Sequence, residues 1–199
     1  MTAPRPGARP RASRSAVIAA VRAAHPGFQF DDRLTVVGVR GYYRDGLGAV
    51  GKNDRAMYDD ALFLIAPEAF LAFNGNTDPS GYRKGRGTGS GKGMASLNAG
   101  VWPAYRFDLH SGKYLALCQR AAQVTVTRDG SPPYSDRGMF GINIHRGGIR
   151  TTSSEGCQTI PPDQWSAFIA AAQDQAKRLY GADWKRETIT YVLLDGWPS

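Results

Sequence analysis

The sequence is poor in the residues that do covalent and metal chemistry. It has two cysteines and three histidines in 199 residues. Cys118 and Cys157, 39 positions apart, form neither a disulfide framework nor a C-x-x-C metal clip. The expectation is a free, reactive Cys157 and an inert Cys118 in a strand. No H-x-x-x-H-like spacing occurs, which argues against a zinc peptidase built on His110, His145 and Asp108. No metal and no cofactor is expected. No run of 18 apolar residues is present, which excludes a membrane-spanning helix. A phosphate loop is missing too: Gly91-Lys92 is followed by Gly93, and the upstream glycine position holds Arg86.

Acids are outnumbered by bases, 17 against 25, for a formal charge of +8. The first fourteen residues contain no acid at all but hold Arg5, Arg9, Arg11 and Arg14. Such a balance points to a polyanionic partner: nucleic acid, an anionic membrane face or a cell-wall polymer. Nucleic acid is the weakest of these, because aromatic residues do not interleave with the basic ones. Pro4, Pro6 and Pro10, with no apolar periodicity, make residues 1–14 a flexible basic arm. Residues 15–199 then form a single domain, expected to be monomeric. The stretch Ser15–Ala24 is too short, and too interrupted by Arg22, for a secretory apolar region. Synthesis in a cytoplasm, without a signal peptide, is the expectation.

The pattern is strand-dominated, which predicts a mainly β fold, sandwich-like or barrel-like, with flanking helices. Ser15–Ala24 reads as a helix capped by Ser15 and stopped by His25-Pro26-Gly27. Leu34–Tyr43, Tyr58–Ala66 and Phe70–Phe73 read as strands, and Pro67-Glu68-Ala69 as the turn joining the last two. The acids Asp59-Asp60 are neighbours, so in a strand they point to opposite faces, which weakens a two-carboxylate glycosidase. Residues 74–100 are loop-rich and basic, and are read as a cover for a long polar substrate or as a solvated insertion. Gly100–Gln119 reads as a hairpin with His110 at its tip, followed by strands at Ala122–Arg128 and Gly138–His145. Asp163–Tyr180 reads as a helix with Trp165, Phe168, Ile169 and Ala172 on one face. Glu187–Asp195 is a last buried strand.

One stretch concentrates the chemistry: Ile142-Asn143-Ile144-His145, then Ser153-Ser154-Glu155-Gly156-Cys157. Cysteine attacks as thiolate, and a histidine within reach takes its proton and later returns it to the leaving amine. His145 is the candidate base and Cys157 the candidate nucleophile of a thiol peptidase or acyltransferase. Gly156 permits close backbone approach, and the N–H groups of Gly156 and Cys157 are candidate oxyanion donors. Arg146 and Arg150 are expected to lower the thiol pKa and to bind substrate carboxylates.

The run Ile144-His145 … Ser154-Glu155-Gly156-Cys157 resembles the signature of the L,D-transpeptidase catalytic (YkuD-like) domain. In that family a strand histidine precedes a glycine-containing loop and then Ser/Thr-His-Gly-Cys. Glu155 stands where the family usually has its second histidine. Gln158-Thr159 stands where an arginine commonly follows the cysteine by two, and the His–Cys gap is short. The resemblance covers roughly residues 95–162. It implies a β-rich fold and a Cys157 acyl-enzyme formed on a peptidoglycan stem peptide. It also implies that Ser154 and Glu155 orient the loop or His145. Asn74–Pro79 and Val124–Gly130 are similar in wording to phage and prophage proteins. The resemblance thus implies a lysis-type enzyme that hydrolyses bacterial peptidoglycan in the periplasm, its arm approaching the anionic envelope. Cross-link formation by transpeptidation is the alternative outcome. A non-catalytic envelope or virion protein using the basic loop Tyr82–Lys92 is the other alternative.

Overall fold

A computed structural model describes residues 1–85 and 91–197; the middle of the basic loop Tyr82–Lys92 lies outside them. The fold is mainly β with two helices, as the pattern implies. The strands are β1 (Thr35–Val39), β2 (Asp60–Ala66), β3 (Ala69–Gly75), β4 (Ala95–Leu97), β5 (Gly100–His110), β6 (Tyr114–Gln119), β7 (Val124–Arg128), β8 (Tyr134–Gly138), β9 (Ile144–Arg146), β10 (Gln158–Ile160) and β11 (Ile189–Leu194). The helices are α1 (Arg14–Ala24) and α2 (Pro162–Tyr180).

Eight strands form one sheet in the order β10-β9-β6-β5-β11-β1-β2-β3. Its ends meet through an antiparallel bridge between Asn76 and Thr159, so the sheet is a nearly closed barrel. Both bonds of that bridge are 2.8 Å long. Strands β4, β7 and β8 make a separate small sheet.

Alternation sorts the side chains into two cores. Val36, Leu62, Leu64, Phe73, Tyr191 and Leu193 face one way, where Trp165, Phe168, Ala172 and Ala176 of α2 pack on them. Val37, Val39, Phe63, Ile65, Val192 and Leu194 face the other way, against Val17, Ala20 and Val21 of α1. This period of two in the strands and of about 3.6 in the helices is the reason the apolar residues of each element bury together. Pro162 opens α2, where its missing N–H has no helical partner to lose.

Several features differ from the sequence expectation: β1 ends at Val39, short of Tyr43, and β4 lies inside the stretch read as loop. Ser13, not Ser15, caps α1, through its side chain and the Ala16 N–H. The stretch Gly138–His145 is not one strand: β8 ends at Gly138, and residues 139–143 turn the chain before β9 begins. The arm, expected to be flexible, lies along the body. Ala3 is buried, and its N–H donates to the Ile149 carbonyl at 2.7 Å. Arg5 pairs with Asp163, Arg9 covers the Phe73 ring and Arg14 donates to the Pro67 carbonyl.

Candidate active site

The site is built on the seam between β9 and β10. These short strands run parallel, with Gln158 opposite Ile144 and Thr159 opposite His145. Ile144 and Ile160 turn into the core, and Gln158 accepts from the buried Tyr191 hydroxyl. By alternation Asn143, His145 and Thr159 share the opposite face, and Cys157 stands just before β10, two positions from the residue opposite His145. The β9–β10 pairing brings the segments that carry His145 and Cys157 side by side, with Thr159 rather than Cys157 opposite His145.

The loop 147–157 is pinned along its length. The Tyr58 hydroxyl donates to the Gly148 carbonyl. Ser154 N–H donates to Ser80 Oγ, and Ser80 N–H to the Ser154 carbonyl. Ser154 Oγ donates to the Cys157 carbonyl at 2.7 Å and accepts from the Gly156 N–H at 3.0 Å. Ser154 is thus bonded to both Gly156 and Cys157 and fixes the turn between them. Gly156 sits at φ +151°, and a Cβ there would collide with the Ala95 carbonyl oxygen and press on Ile142. Its role is conformational. It is not an oxyanion donor, because its N–H is already bonded to Ser154. Among the described residues no acceptor takes the Cys157 N–H, which remains the candidate for that task.

Cys157 and Cys118 are both free thiols. Cys157 reaches a cleft of about 390 Å³, but its sulfur is enclosed by protein. Sγ receives the Asn143 N–H at 3.4 Å and donates to the Gly141 carbonyl at 3.3 Å. Burial pushes the thiol up to about 11, against the opposing influence of the Asn143 N–H. The expected lowering by Arg146 and Arg150 is thus overturned. The Arg146 guanidinium lies over the Tyr114 ring at 5.1 Å, and Arg150 is exposed on the loop. Burial also pushes Cys118 up to about 11, which suits an inert strand thiol.

His145 is 5% exposed. Its Nδ1 stands 2.7 Å from the Arg146 carbonyl oxygen. A carbonyl only accepts, so Nδ1 carries the hydrogen and Nε2 the lone pair, the tautomer a general base needs. Burial pushes its pKa down to about 4, repulsion from His110 acts the same way whenever that ring carries a charge, and the Arg146 carbonyl opposes both. Among the described residues no hydrogen bond joins His145 to Cys157. Both the thiol and the imidazole are thus neutral at neutral pH.

Glu155 does not orient His145. Its carboxylate is exposed and paired with Arg83 at 3.0 Å, on the rim of the cleft. Arg83, Lys92 and Arg128 flank that cleft together with Phe140. Lys92 and Arg128 share Asp136. These cations, rather than Arg146 and Arg150, line the cleft beside Cys157; Arg83 and Lys92 belong to the basic loop read as a substrate cover, whereas Arg128 was not marked.

The reading by residues also passed over Asn143 and Gln119. Gln119 N–H donates to Asn143 Oδ1 at 2.9 Å, and Asn143 Nδ2 meets His110 Nδ1 at 3.1 Å. His110, taken as a turn residue, stacks on His145 with ring centroids 4.0 Å apart and planes 16° apart. The available signal was the period of two, which places Asn143 on the His145 face. Asp108 turns to Arg120 at 2.7 Å instead of joining the histidines, and among the described residues no cluster of three His, Cys, Asp or Glu is placed to hold a metal ion.

No protein-family model, curated protein or solved structure matches this chain.

Proposed function

We propose that the chain is a cysteine-dependent peptidase of bacterial peptidoglycan, acting on stem peptides through an acyl-enzyme on Cys157. The observation that supports it most is the β9–β10 seam, whose segments carry a thiol anchored by Asn143 and Gly141 and a histidine whose Nδ1–H is committed to Arg146. In this reading His145 Nε2 takes the thiol proton as Sγ bonds to the peptide carbonyl carbon. The carbonyl oxygen gains the charge, and the Cys157 N–H is the donor available to it. Collapse breaks the C–N bond, and the leaving amine receives the proton from His145. Water then attacks the thioester, loses a proton to His145 and releases the acid and the free thiol. An amine in place of water would give a new cross-link; hydrolysis follows from the lysis-type resemblance.

Three arm arginines are engaged with the body, so approach to an anionic envelope rests on the net charge of +8 rather than on a free arm. No helix among the described residues is long and apolar enough to cross a membrane. The enclosed thiol favours a second reading, a non-catalytic envelope-binding protein. Mass spectrometry of purified sacculi treated with wild type and Cys157→Ala separates the two. Release of stem peptides by wild type alone, with both proteins folded by circular dichroism, is expected. Digestion by Cys157→Ala as fast as by wild type, or binding without digestion by wild type, would refute the peptidase.

A further inference from the structure

His110 has no part in the acyl-enzyme chemistry above, yet its surroundings constrain it on three sides. Its ring lies flat on His145 at 4.0 Å. Its Nδ1 meets the Asn143 side-chain amide at 3.1 Å. The orientation of that amide is set, because Asn143 Oδ1 is the acceptor of the Gln119 N–H. The amide therefore presents its N–H₂ to His110, and two donors cannot share one hydrogen bond. Nδ1 must hold a lone pair, which leaves the hydrogen on Nε2 and excludes the imidazolium while the contact persists.

We propose that His110 is a positioning residue, which Asn143 keeps neutral so that His145, stacked upon it, can become the imidazolium. The inference rests on the acyl-enzyme reading. If His110 were charged, His145 would have to accept the thiol proton against a cation at stacking distance, in a buried place where such repulsion is weakly screened. As a neutral ring, His110 instead offers its face to the cation that forms.

The other groups facing the pair do not replace this device. Tyr114 on β6 brings its hydroxyl 3.4 Å from His145 Nδ1, where the Arg146 carbonyl is the closer partner. Arg120 and Lys113 are cations that, after burial, also disfavour a charged His110. Asp108, the acid on the same strand, is bound to Arg120. Asn143 further ties the arrangement to the nucleophile, since its backbone N–H is the one on Cys157 Sγ.

The test is the acid limb of Cys157 reactivity, read as the pH dependence of iodoacetamide alkylation in peptide-resolved mass spectrometry and, in parallel, of sacculus digestion. Asn143→Ala frees His110 Nδ1 for protonation, and the acid limb is expected to move up by about one pH unit or more. Adding His110→Phe, a ring that stacks but does not titrate, is expected to return the limb to its wild-type position. A merely structural Asn143 would lower the rate without moving the limb. An unmoved limb in Asn143→Ala, or a shift that survives His110→Phe, overturns the proposal. Should Asn143→Ala not fold, nitrogen-15 NMR of wild-type histidines decides. A neutral Nε2–H tautomer of His110 persisting below the ordinary value of about 6.5 supports it, and normal titration or an Nδ1–H tautomer overturns it. Alkylation judges His110 even if sacculi are never digested, in which case only the peptidase reading fails.

Discussion

Gln119 should matter more to this protein than its place at the end of a strand suggests. Its carboxamide oxygen accepts three successive backbone N–H groups, from Phe140, Gly141 and Ile142, at 3.0, 3.0 and 3.1 Å. Its Nε2 donates to the Ala122 and Gly138 carbonyls at 3.0 and 2.8 Å. The side chain is 1% exposed, so water does not readily substitute. Gln119→Met keeps the approximate volume but accepts nothing at the nest. A buried donor left without a partner costs about 1–3 kcal/mol. With three such N–H groups partly relaxed, a loss of about 3–6 kcal/mol is expected, a large part of the roughly 5–15 kcal/mol that stabilises a domain. With a urea slope of about 1–3 kcal/mol per molar, the unfolding midpoint should fall by at least about 1 M. Gln119→Glu separates the two halves of the interaction, since it retains the acceptor but loses the donor, and it should fall between wild type and Gln119→Met. The same loop carries the Gly141 carbonyl that holds the Cys157 thiol, so alkylation of Cys157 should change along with stability. A midpoint within about 0.3 M of wild type for Gln119→Met would refute the reasoning.

Gly156→Ala sets a side chain at φ +151° against the Ala95 carbonyl; strain and overpacking together should cost about 2–5 kcal/mol, read as a fall in thermal midpoint. For Asp59, burial pushes the carboxyl up to about 6 from 3.8, so between those values the native state holds a proton that the unfolded chain has released. Wild-type stability from this group is therefore lost as pH rises through about 6, and the neutral Asp59→Asn should gain on wild type by about 1–3 kcal/mol between pH 4 and pH 7; urea melts at both pH values showing a constant difference would contradict this.

The parts of the architecture that repetition encodes were legible in the sequence. The alternation of Val36, Leu62 and Leu64 against Val37, Phe63 and Ile65 gives a sheet with two buried faces, and the stripe Trp165–Phe168–Ala172 gives the helix that covers one of them. What was not legible is set by single polar atoms. Nothing local distinguishes Gln119 from any strand-end glutamine until the chain from Gly138 to Ile142 folds its N–H groups over it. The arm illustrates the same limit: proline and arginine without apolar periodicity describe an unattached segment, yet backbone bonds such as Ala3 to Ile149 hold it to the loop after β9. The site shows both regimes at once. His145 and Cys157 stood out in the sequence because their residue types are scarce, and the parallel seam of β9 and β10 brings their segments together. The sign of the electrostatics around Cys157 was misjudged because nearness in sequence was taken for nearness in space. Arg146 is next to His145 in the chain, but as an adjacent strand residue it points away from that face and lies over Tyr114. Burial then dominates both groups, pushing the thiol up and the imidazole down. In the proposed chemistry both groups start neutral and the proton moves only once bound substrate supplies the electrophile, so alkylation of Cys157 is expected to track occupancy of the cleft beside it.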